Sequence, residues 1–238
     1  MGAAPAIELA PGVWRVPTAP KDLVNSYVFV DQDGQVTLVD CGLKRAPRKI
    51  LAALSHIGSG AVDVTRIIAT HAHPDHVGGL AAMRNRTHAT VAVHRDEAPF
   101  VRAGRGLPVR RDSLIGRFLR SMPRHGAAPV DLELQDGDVL PVAGSLRVVG
   151  TPGHSPGHVS LLHEPSGVLI TGDALFNWTR RISWPPSMLC IDVPMTRRTA
   201  HVLGELDYTT AAFTHGPPIA TNARAAVRGF LQRSGGGR

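Results

Sequence analysis

Three histidines and an aspartate fall within six residues of this chain, directly after a short apolar stretch. The segment reads Thr70-His71-Ala72-His73-Pro74-Asp75-His76 and follows a predicted strand at residues 65–70. Residues two apart on an extended segment project to the same side, so one cation can bind both His71 and His73. Pro74 then turns the chain, which directs Asp75 and His76 to a neighbouring position, close enough for a second ion. The alternative interpretation is a cluster of surface histidines.

Two imidazoles and a carboxylate do not complete a metal site, so other parts of the chain must supply ligands. Three further ionisable residues stand where an apolar strand gives way to a loop rich in glycine and proline. They are His154 in TPGHSPGH, Asp173 in TGD and His215 in FTHGP. Loops at the ends of rigid strands commonly carry binding residues. We therefore expect these three side chains to join the histidine-rich segment.

The hydrophobic pattern alternates between strands and helices along the whole chain. We predict strands at residues 24–30, 35–40, 65–70, 90–93, 145–149, 159–162, 168–171 and 210–214. We predict helices at residues 44–57, 75–85, 196–206 and 222–232. Because strands and helices mix in both halves and no long linker separates them, the pattern favours one layered α/β domain over residues 1–238.

Positive charge is concentrated in one segment. The chain carries a net charge of +7, and residues 101–125 contribute seven arginines against the single acid Asp112. We interpret residues 96–130 as an arginine-rich, partly helical insertion near the active site. It would favour an anionic substrate if it covers that site, and a solvated helical face is the alternative. Since Phe118 is the one aromatic residue among these arginines, we do not expect a nucleic-acid partner.

The composition also bears on the compartment. Cys41 and Cys190 are the two cysteines, too few for a disulfide framework, and this favours a reducing, cytoplasmic location. No window of about 18 consecutive apolar residues exists, so we expect no membrane span. The first residues, MGAAPAIELAPG, lack the basic and apolar regions of a secretory signal. A homo-oligomer is compatible with this composition.

The motifs together resemble the metallo-β-lactamase superfamily. The similarity runs from Asn25-Ser26-Tyr27 and LVDCG through HAHPDHVGGL, TPGHSPGH, TGDALF and FTHGPP. It implies a four-layer αββα sandwich, in which two mixed β-sheets pack face to face with helices outside. It also implies a dinuclear metal site, with the ligands carried over residue by residue. The first ion would be held by His71, His73 and His154, the second by Asp75, His76 and His215, and Asp173 would bridge them.

This ligand set indicates the chemistry. Imidazole and carboxylate ligands suit Zn²⁺, our first choice of two divalent ions, with Fe or Mn as alternatives. Such ions acidify a bound water, so we expect a bridging metal-bound hydroxide to attack a carbonyl carbon. Asp75 is the candidate catalytic residue, orienting the hydroxide or protonating the leaving group. Asp40 and His158 are candidates for orienting the ligands.

The small-molecule substrate is predicted less sharply. Asp173 stands where class B β-lactamases carry Cys or Ser, which argues against antibiotic hydrolysis as the main activity. Phe176 stands where similar lactonases carry Tyr, which weakens the lactonase interpretation. GDALF is most similar to the corresponding segment of the glyoxalase II type, which cleaves thioesters. Only 23 residues follow His215, fewer than the helical extension with which those enzymes hold glutathione, so we expect a different carrier. We therefore expect hydrolysis of a thioester, ester or lactone. The aromatic and basic residues that follow Asp173 are candidates for the pocket, with plain packing as the alternative: Phe176, Trp178, Arg180, Arg181 and Trp184.

Three other functions remain open. A persulfide dioxygenase would use the same scaffold with mononuclear iron, and metal analysis with oxygen consumption separates it from a hydrolase. A phosphodiesterase or nuclease of the superfamily would use the arginines on phosphates, and its nucleic-acid binding would depend steeply on salt. A non-enzymatic binding module would retain its binding after loss of His71 and Asp173.

Overall fold

The computed structural model describes residues 5–106 and 125–234, and within them the strands form two β-sheets. The seven strands of the first sheet follow one another in chain order: β1 (Ile7–Ala10), β2 (Val13–Pro17), β3 (Asn25–Val30), β4 (Val36–Val39), β5 (Val64–Ala69), β6 (Thr90–His94) and β7 (Leu132–Leu134). The second sheet has five strands: β8 (Val139–Leu140), β9 (Leu146–Gly150), β10 (Val159–His163), β11 (Val168–Ile170) and β12 (Thr210–Ala212).

Both sheets are mixed, and the connections explain why. Strands β1 to β4 are antiparallel and joined by short loops, whereas β4, β5, β6 and β7 run parallel. Parallel neighbours need a crossover. Helix α1 (Pro47–His56) supplies it between β4 and β5, and α2 (Pro74–Val77) with α3 (Leu80–Thr87) between β5 and β6. In the second sheet, β8 to β11 are antiparallel and β12 is parallel to β11.

The buried side chains form three layers of core. One cluster packs the first sheet against α1, α3 and α4 (Ala98–Ala103), and a second lies between the two sheets. A third packs the second sheet against α5 (Val193–Ala200) and α6 (Ala223–Arg233). Successive side chains of a strand point to opposite faces of the sheet, so Val28 packs in the first cluster and Phe29 in the second. The predicted four-layer αββα sandwich is therefore confirmed.

The prediction of one continuous helix at residues 75–85 is wrong. The structure has two helices there, α2, which ends before Gly78, and α3, which begins after Gly79. A Cβ on Gly78 would lie 2.2 Å from the carbonyl oxygen of Pro74, and one on Gly79 would lie 2.4 Å from that of Cys41. The glycines let the chain after β4 pack against this break, where the N–H of Cys41 donates to the carbonyl of His76 at 2.7 Å. The break thus fixes the position of α2.

The arginine-rich insertion lies partly outside the described residues. Its described part contains α4, and Arg102 of that helix pairs with Glu133 at 2.6 Å on the surface. Five of its arginines fall in residues 107–124, outside the described ranges: Arg110, Arg111, Arg117, Arg120 and Arg124. The place of this segment over the active site and the single-domain assignment stay predictions. Among the described helices, none has the length and apolar character needed to cross a membrane.

Candidate metal centre

The histidine-rich segment leaves the end of β5 and enters α2. His73 is extended, with φ −74° and ψ 150°, and Pro74 occupies the first turn of α2, where a missing N–H costs no helical hydrogen bond. Asp75 and His76 therefore lie on the helix, while His71 and His73 lie on the loop before it. This change of backbone conformation separates the two pairs of donors, as the sequence predicted.

The second sheet supplies the remaining side chains from three of its strand ends. His154 lies in the loop after β9, and Asp173 lies in the short 3-10 turn Gly172–Ala174 after β11. His215 follows β12. His71, His76, His154 and Asp173 are almost fully buried, whereas the Asp75 side chain is 34% exposed. The centre thus lies where loops at the strand ends of both sheets meet, with one carboxylate open to solvent.

The structure brings all seven predicted residues together in two groups. In the first, the donor atoms of His71, His73, His154 and Asp173 lie within 4.8 Å of one another. In the second group, the donor atoms of Asp75, His76 and His215 also lie within 4.8 Å of one another. Nε2 of His154 is 2.9 Å from Nδ1 of His73 and 3.2 Å from Oδ2 of Asp173. Donors about 2.0–2.1 Å from a tetrahedral Zn²⁺ are roughly 3.4 Å apart, so these separations suit a shared cation.

Asp173 lies between the two groups. Its Oδ1 is 3.3 Å from Nε2 of His76, and its Oδ2 is 3.2 Å from Nε2 of His215. Oδ2 is also 3.9 Å from Nε2 of His71. The two oxygens of one carboxylate therefore contact imidazoles from both groups, which is the arrangement that a bridging ligand requires.

The ring nitrogen of His76 that faces the centre provides a further test of fit. Nε2 is buried and has no hydrogen-bond partner among the residues that the structure describes. The other nitrogen, Nδ1, donates to Oδ2 of Asp40 at 2.8 Å, so the neutral ring directs its Nε2 lone pair at the centre. Burial would lower the pKa of His76, but the Asp173 and Asp40 carboxylates raise it well above its ordinary value, so a cation would take the place of a proton at Nε2. A buried, unpaired lone pair beside carboxylates is what a cation would bind, so the residues present fit a metal ion.

Other groups orient the remaining residues. Nδ1 of His215 donates to the carbonyl of Leu23 at 2.5 Å, and Nδ1 of His154 lies 3.6 Å from Sγ of Cys190. Nε2 of His158 accepts the backbone N–H of Asp173 at 2.7 Å. The orienting roles expected for Asp40 and His158 agree with these bonds. The contacts of Leu23 and Cys190 were missed, because neither residue has a motif or a spacing that relates it to the histidines.

Burial and the central carboxylate set the protonation of the cluster. Burial lowers the pKa of His71 well below its ordinary value and that of His73 to about 3. Burial also lowers the pKa of His154, but the Asp173 carboxylate outweighs it and raises the value to about 9. Burial would raise the pKa of Asp173, but His215, His76 and His154 hold it well below its ordinary value. The anionic Asp173 therefore requires positive charge around it, from protons or from cations.

The aromatic residues after Asp173 separate into two environments. Phe176 is buried with its ring 4.3 Å from that of His215, and the partly exposed Trp178 meets the same imidazole edge-on at 5.5 Å. Trp184 instead packs on Phe230 and lines a cavity of about 220 Å³ with Cys190. Of the five candidate pocket residues, Trp184 lines this cavity, and the pocket role of the other four stays a prediction. Packing explains Phe176 and Trp184, Arg180 and Arg181 are exposed, and Trp178 borders the centre.

Comparison with known proteins gives a consistent result. The family model described as metallo-beta-lactamase superfamily matches residues 19–228. The probable metallo-hydrolase YflN of Bacillus subtilis is 32% identical over 201 residues, which cover 76% of this chain and 75% of the relative. A metallo-beta-lactamase family protein of Thermus thermophilus has a solved structure with TM-score 0.71 and 28% identity, covering 95% of this chain and 80% of the other.

A third relative is named for its substrate. The hydroxyacylglutathione hydrolase of Rhodopseudomonas palustris is 31% identical over 164 residues, which cover 68% of this chain. The chain spans 52% of that relative, about half its length. The family model matches most of the chain, and the sandwich and the His/Asp cluster agree with it. The chain therefore belongs to the metallo-beta-lactamase superfamily.

Proposed function

We propose that this protein is a dinuclear metal-dependent hydrolase that cleaves the carbonyl carbon–heteroatom bond of a thioester, ester or lactone. The observation that carries the proposal is the position of Asp173, whose two oxygens lie 3.2–3.3 Å from imidazoles of both groups. One ion would be held by His71, His73 and His154 and the other by Asp75, His76 and His215, with Asp173 shared. Zn²⁺ is the ion proposed, since imidazole and carboxylate donors suit it.

Bound divalent ions would lower the pKa of a coordinated water towards neutrality and polarise a neighbouring carbonyl. Asp75 can move the proton, because its carboxylate is both part of the cluster and 34% exposed. A carboxylate oxygen of Asp75 would take a proton from the attacking water and return it to the leaving group. Thr70, Asp40 and His158 hold the donor atoms and the central carboxylate in place through buried hydrogen bonds.

The substrate class rests on the surroundings of His215 and on the relatives. Trp178 and Leu23 are 41% and 45% exposed, and both contact His215, Trp178 by its ring and Leu23 by its carbonyl. They supply an apolar edge for an acyl group. The relatives named hydroxyacylglutathione hydrolase favour a thioester. Exposed Arg180 and Arg181, close in sequence to Trp178, favour a negatively charged acyl group or carrier.

A substrate panel on matched variants tests this function. Thioesters, esters, lactones, β-lactams and phosphodiesters are assayed with the wild type, His71→Ala, Asp173→Ala and the control His56→Ala. His56 is an exposed residue at the end of α1. We expect hydrolysis of a carbonyl substrate by the wild type and the control, and loss of both hydrolysis and bound metal in the other two variants. Full turnover by Asp173→Ala would refute the assignment, and oxygen consumption with persulfides would favour a dioxygenase.

A further inference from the structure

Glu97 is a fully buried carboxylate that lies outside the cluster of seven donors. It is 0% exposed and immediately precedes α4, yet its side chain makes no capping hydrogen bond to that helix. A buried carboxylate destabilises the fold unless it is paired or hydrogen-bonded. The location of its partners therefore indicates what Glu97 does.

Both carboxylate oxygens of Glu97 accept backbone N–H groups, and each N–H belongs to a different ligand-bearing loop. Oε2 accepts the N–H of Ala72 at 2.8 Å, between His71 and His73. Oε1 accepts the N–H of Gly157 at 2.8 Å, in the loop that carries His154. One rigid carboxylate thus links a loop of the first sheet to a loop of the second.

The close approach of the second loop depends on a glycine. A Cβ on Gly157 would lie 3.0 Å from Cγ of Glu97 and 2.4 Å from Nδ1 of His94. Any other residue would push this loop away from the carboxylate. Gly157 belongs to the TPGHSPGH motif, and this contact gives a physical reason for a glycine at that position. A second link between the loops, from the N–H of Val159 to the carbonyl of Thr70 at 3.1 Å, lies at the start of β10.

We propose that Glu97 is a positioning residue, which sets the distance between the His71–His73 pair and His154 before any cation binds. The proposal rests on the metal-binding part of the function proposed above. Nε2 of His154 already lies 2.9 Å from Nδ1 of His73, so the loops are held at a separation that one cation can bridge. Because both loops are held in advance, less conformational entropy is lost when a metal ion binds.

The test compares Glu97→Gln with Asp131→Asn. Glutamine keeps the size of the side chain, but its NH₂ group faces one of the two backbone N–H donors, so one loop is released. Asp131 also accepts a backbone N–H, that of Val91 at 2.7 Å, but it contacts none of the seven donors. We expect Glu97→Gln to lower the affinity for Zn²⁺, measured by chelator competition, by about 10- to 100-fold. Asp131→Asn should leave that affinity unchanged.

A second measurement separates positioning from general stability. In the metal-free protein, hydrogen exchange at the amides of Ala72 and Gly157 should accelerate in Glu97→Gln, while core amides stay protected. If that variant does not fold, Glu97→Asp is used, which keeps the charge but is one methylene too short to reach both loops. Slow exchange at the two amides of the metal-free wild type is also required. Fast exchange there would overturn the proposal without any variant.

The outcomes distinguish this inference from the proposed function. Unchanged Zn²⁺ affinity in Glu97→Gln or Glu97→Asp overturns the role of Glu97 and leaves hydrolysis untouched. An equal loss of affinity in Asp131→Asn also overturns it, because the effect would then be general. A wild type that binds Zn²⁺ but hydrolyses no substrate overturns the proposed hydrolase alone. A wild type that binds no divalent ion overturns both.

Discussion

Asp40→Asn should change the protonation of His76 without changing the shape of the site. The Asp40 carboxylate is buried and accepts three hydrogen bonds at 2.8 Å, from the N–H and hydroxyl of Thr70 and from Nδ1 of His76. Asp40 has φ +59°, a conformation that asparagine tolerates as well as aspartate does. The substitution therefore adds no backbone strain and little change in volume.

The hydrogen-bond donors around residue 40 determine how the substitution changes the protonation of His76. The N–H of Thr70 cannot move, so it keeps the amide oxygen of asparagine, and the NH₂ group faces Nδ1 of His76. Nδ1 must then accept, which moves the proton to Nε2, the nitrogen directed at the centre. A protonated Nε2 has no lone pair for a cation. Loss of such an orienting partner costs about 10- to 100-fold in metal affinity.

Asp40→Asn should also lower the free energy of unfolding. Two hydrogen bonds to the charged Oδ2, from the Thr70 hydroxyl and from Nδ1 of His76, are replaced by hydrogen bonds that a neutral NH₂ group donates, which lowers the free energy of unfolding by about 1.5–3 kcal/mol in total. For a chain of this size, each kcal/mol corresponds to about 2–4 °C, so the melting temperature should fall by about 3–12 °C. The loss of metal affinity should exceed what this modest destabilisation produces.

The assay combines Zn²⁺ titration with nitrogen NMR of the His76 ring. Asp63→Asn is the control, since Asp63 accepts the N–H of Gly60 at 2.7 Å at the opposite end of β5 from His71 and His73. We expect one of two binding events to weaken in Asp40→Asn and, in the neutral ring, the proton to move from Nδ1 to Nε2. Two binding events of unchanged affinity, with the proton of the neutral ring still on Nδ1, would exclude this role of Asp40.

Three further predictions concern the surroundings of the centre. The pKa of His154 is raised to about 9, so in chelator-treated protein its contribution to stability is complete below about pH 6.5 and is lost as pH rises through 9; melting temperatures across this range check it, and a flat profile contradicts it. Trp178→Ala should raise KM more than it lowers kcat, because the exposed ring borders His215 without reaching the other donors; an unchanged KM in steady-state kinetics would exclude Trp178 from the pocket. Gly216→Ala should cost about 1–3 kcal/mol and weaken binding of one cation, because Gly216 has φ +116° and a Cβ would lie 2.3 Å from the carbonyl carbon of Asn177; denaturant unfolding with Zn²⁺ titration measures both, and wild-type values in both would disprove it.

The donor residues were predictable because local sequence carries their arrangement. A two-residue spacing before a proline orients His71 and His73, and each remaining candidate stands at the end of an apolar strand. The strand predicted at residues 159–162 likewise appears as Val159–His163. Where periodicity and a turn residue act within a few positions, sequence alone was sufficient.

The missed features depend on long-range contacts. Strands β1 and β2 have four and five residues, and β2 is held by pairing with β3 rather than by its own pattern. Glu97 lies 25 residues from Ala72 and 60 from Gly157 in sequence, so no local spacing connects them. The break between α2 and α3 exists because the chain after β4 packs against Gly78 and Gly79. Such contacts become visible only in the folded chain.

Metal stoichiometry measured together with turnover decides whether this protein works as a dinuclear hydrolase. The native protein is purified without added metal, its transition metals are quantified per chain, and hydrolysis is followed during chelation and stepwise reconstitution. We expect two divalent ions per chain, with activity lost on chelation and restored as both are replaced. Hydrolysis by a protein that retains no metal, or a single iron with oxygen consumption in place of hydrolysis, would contradict it.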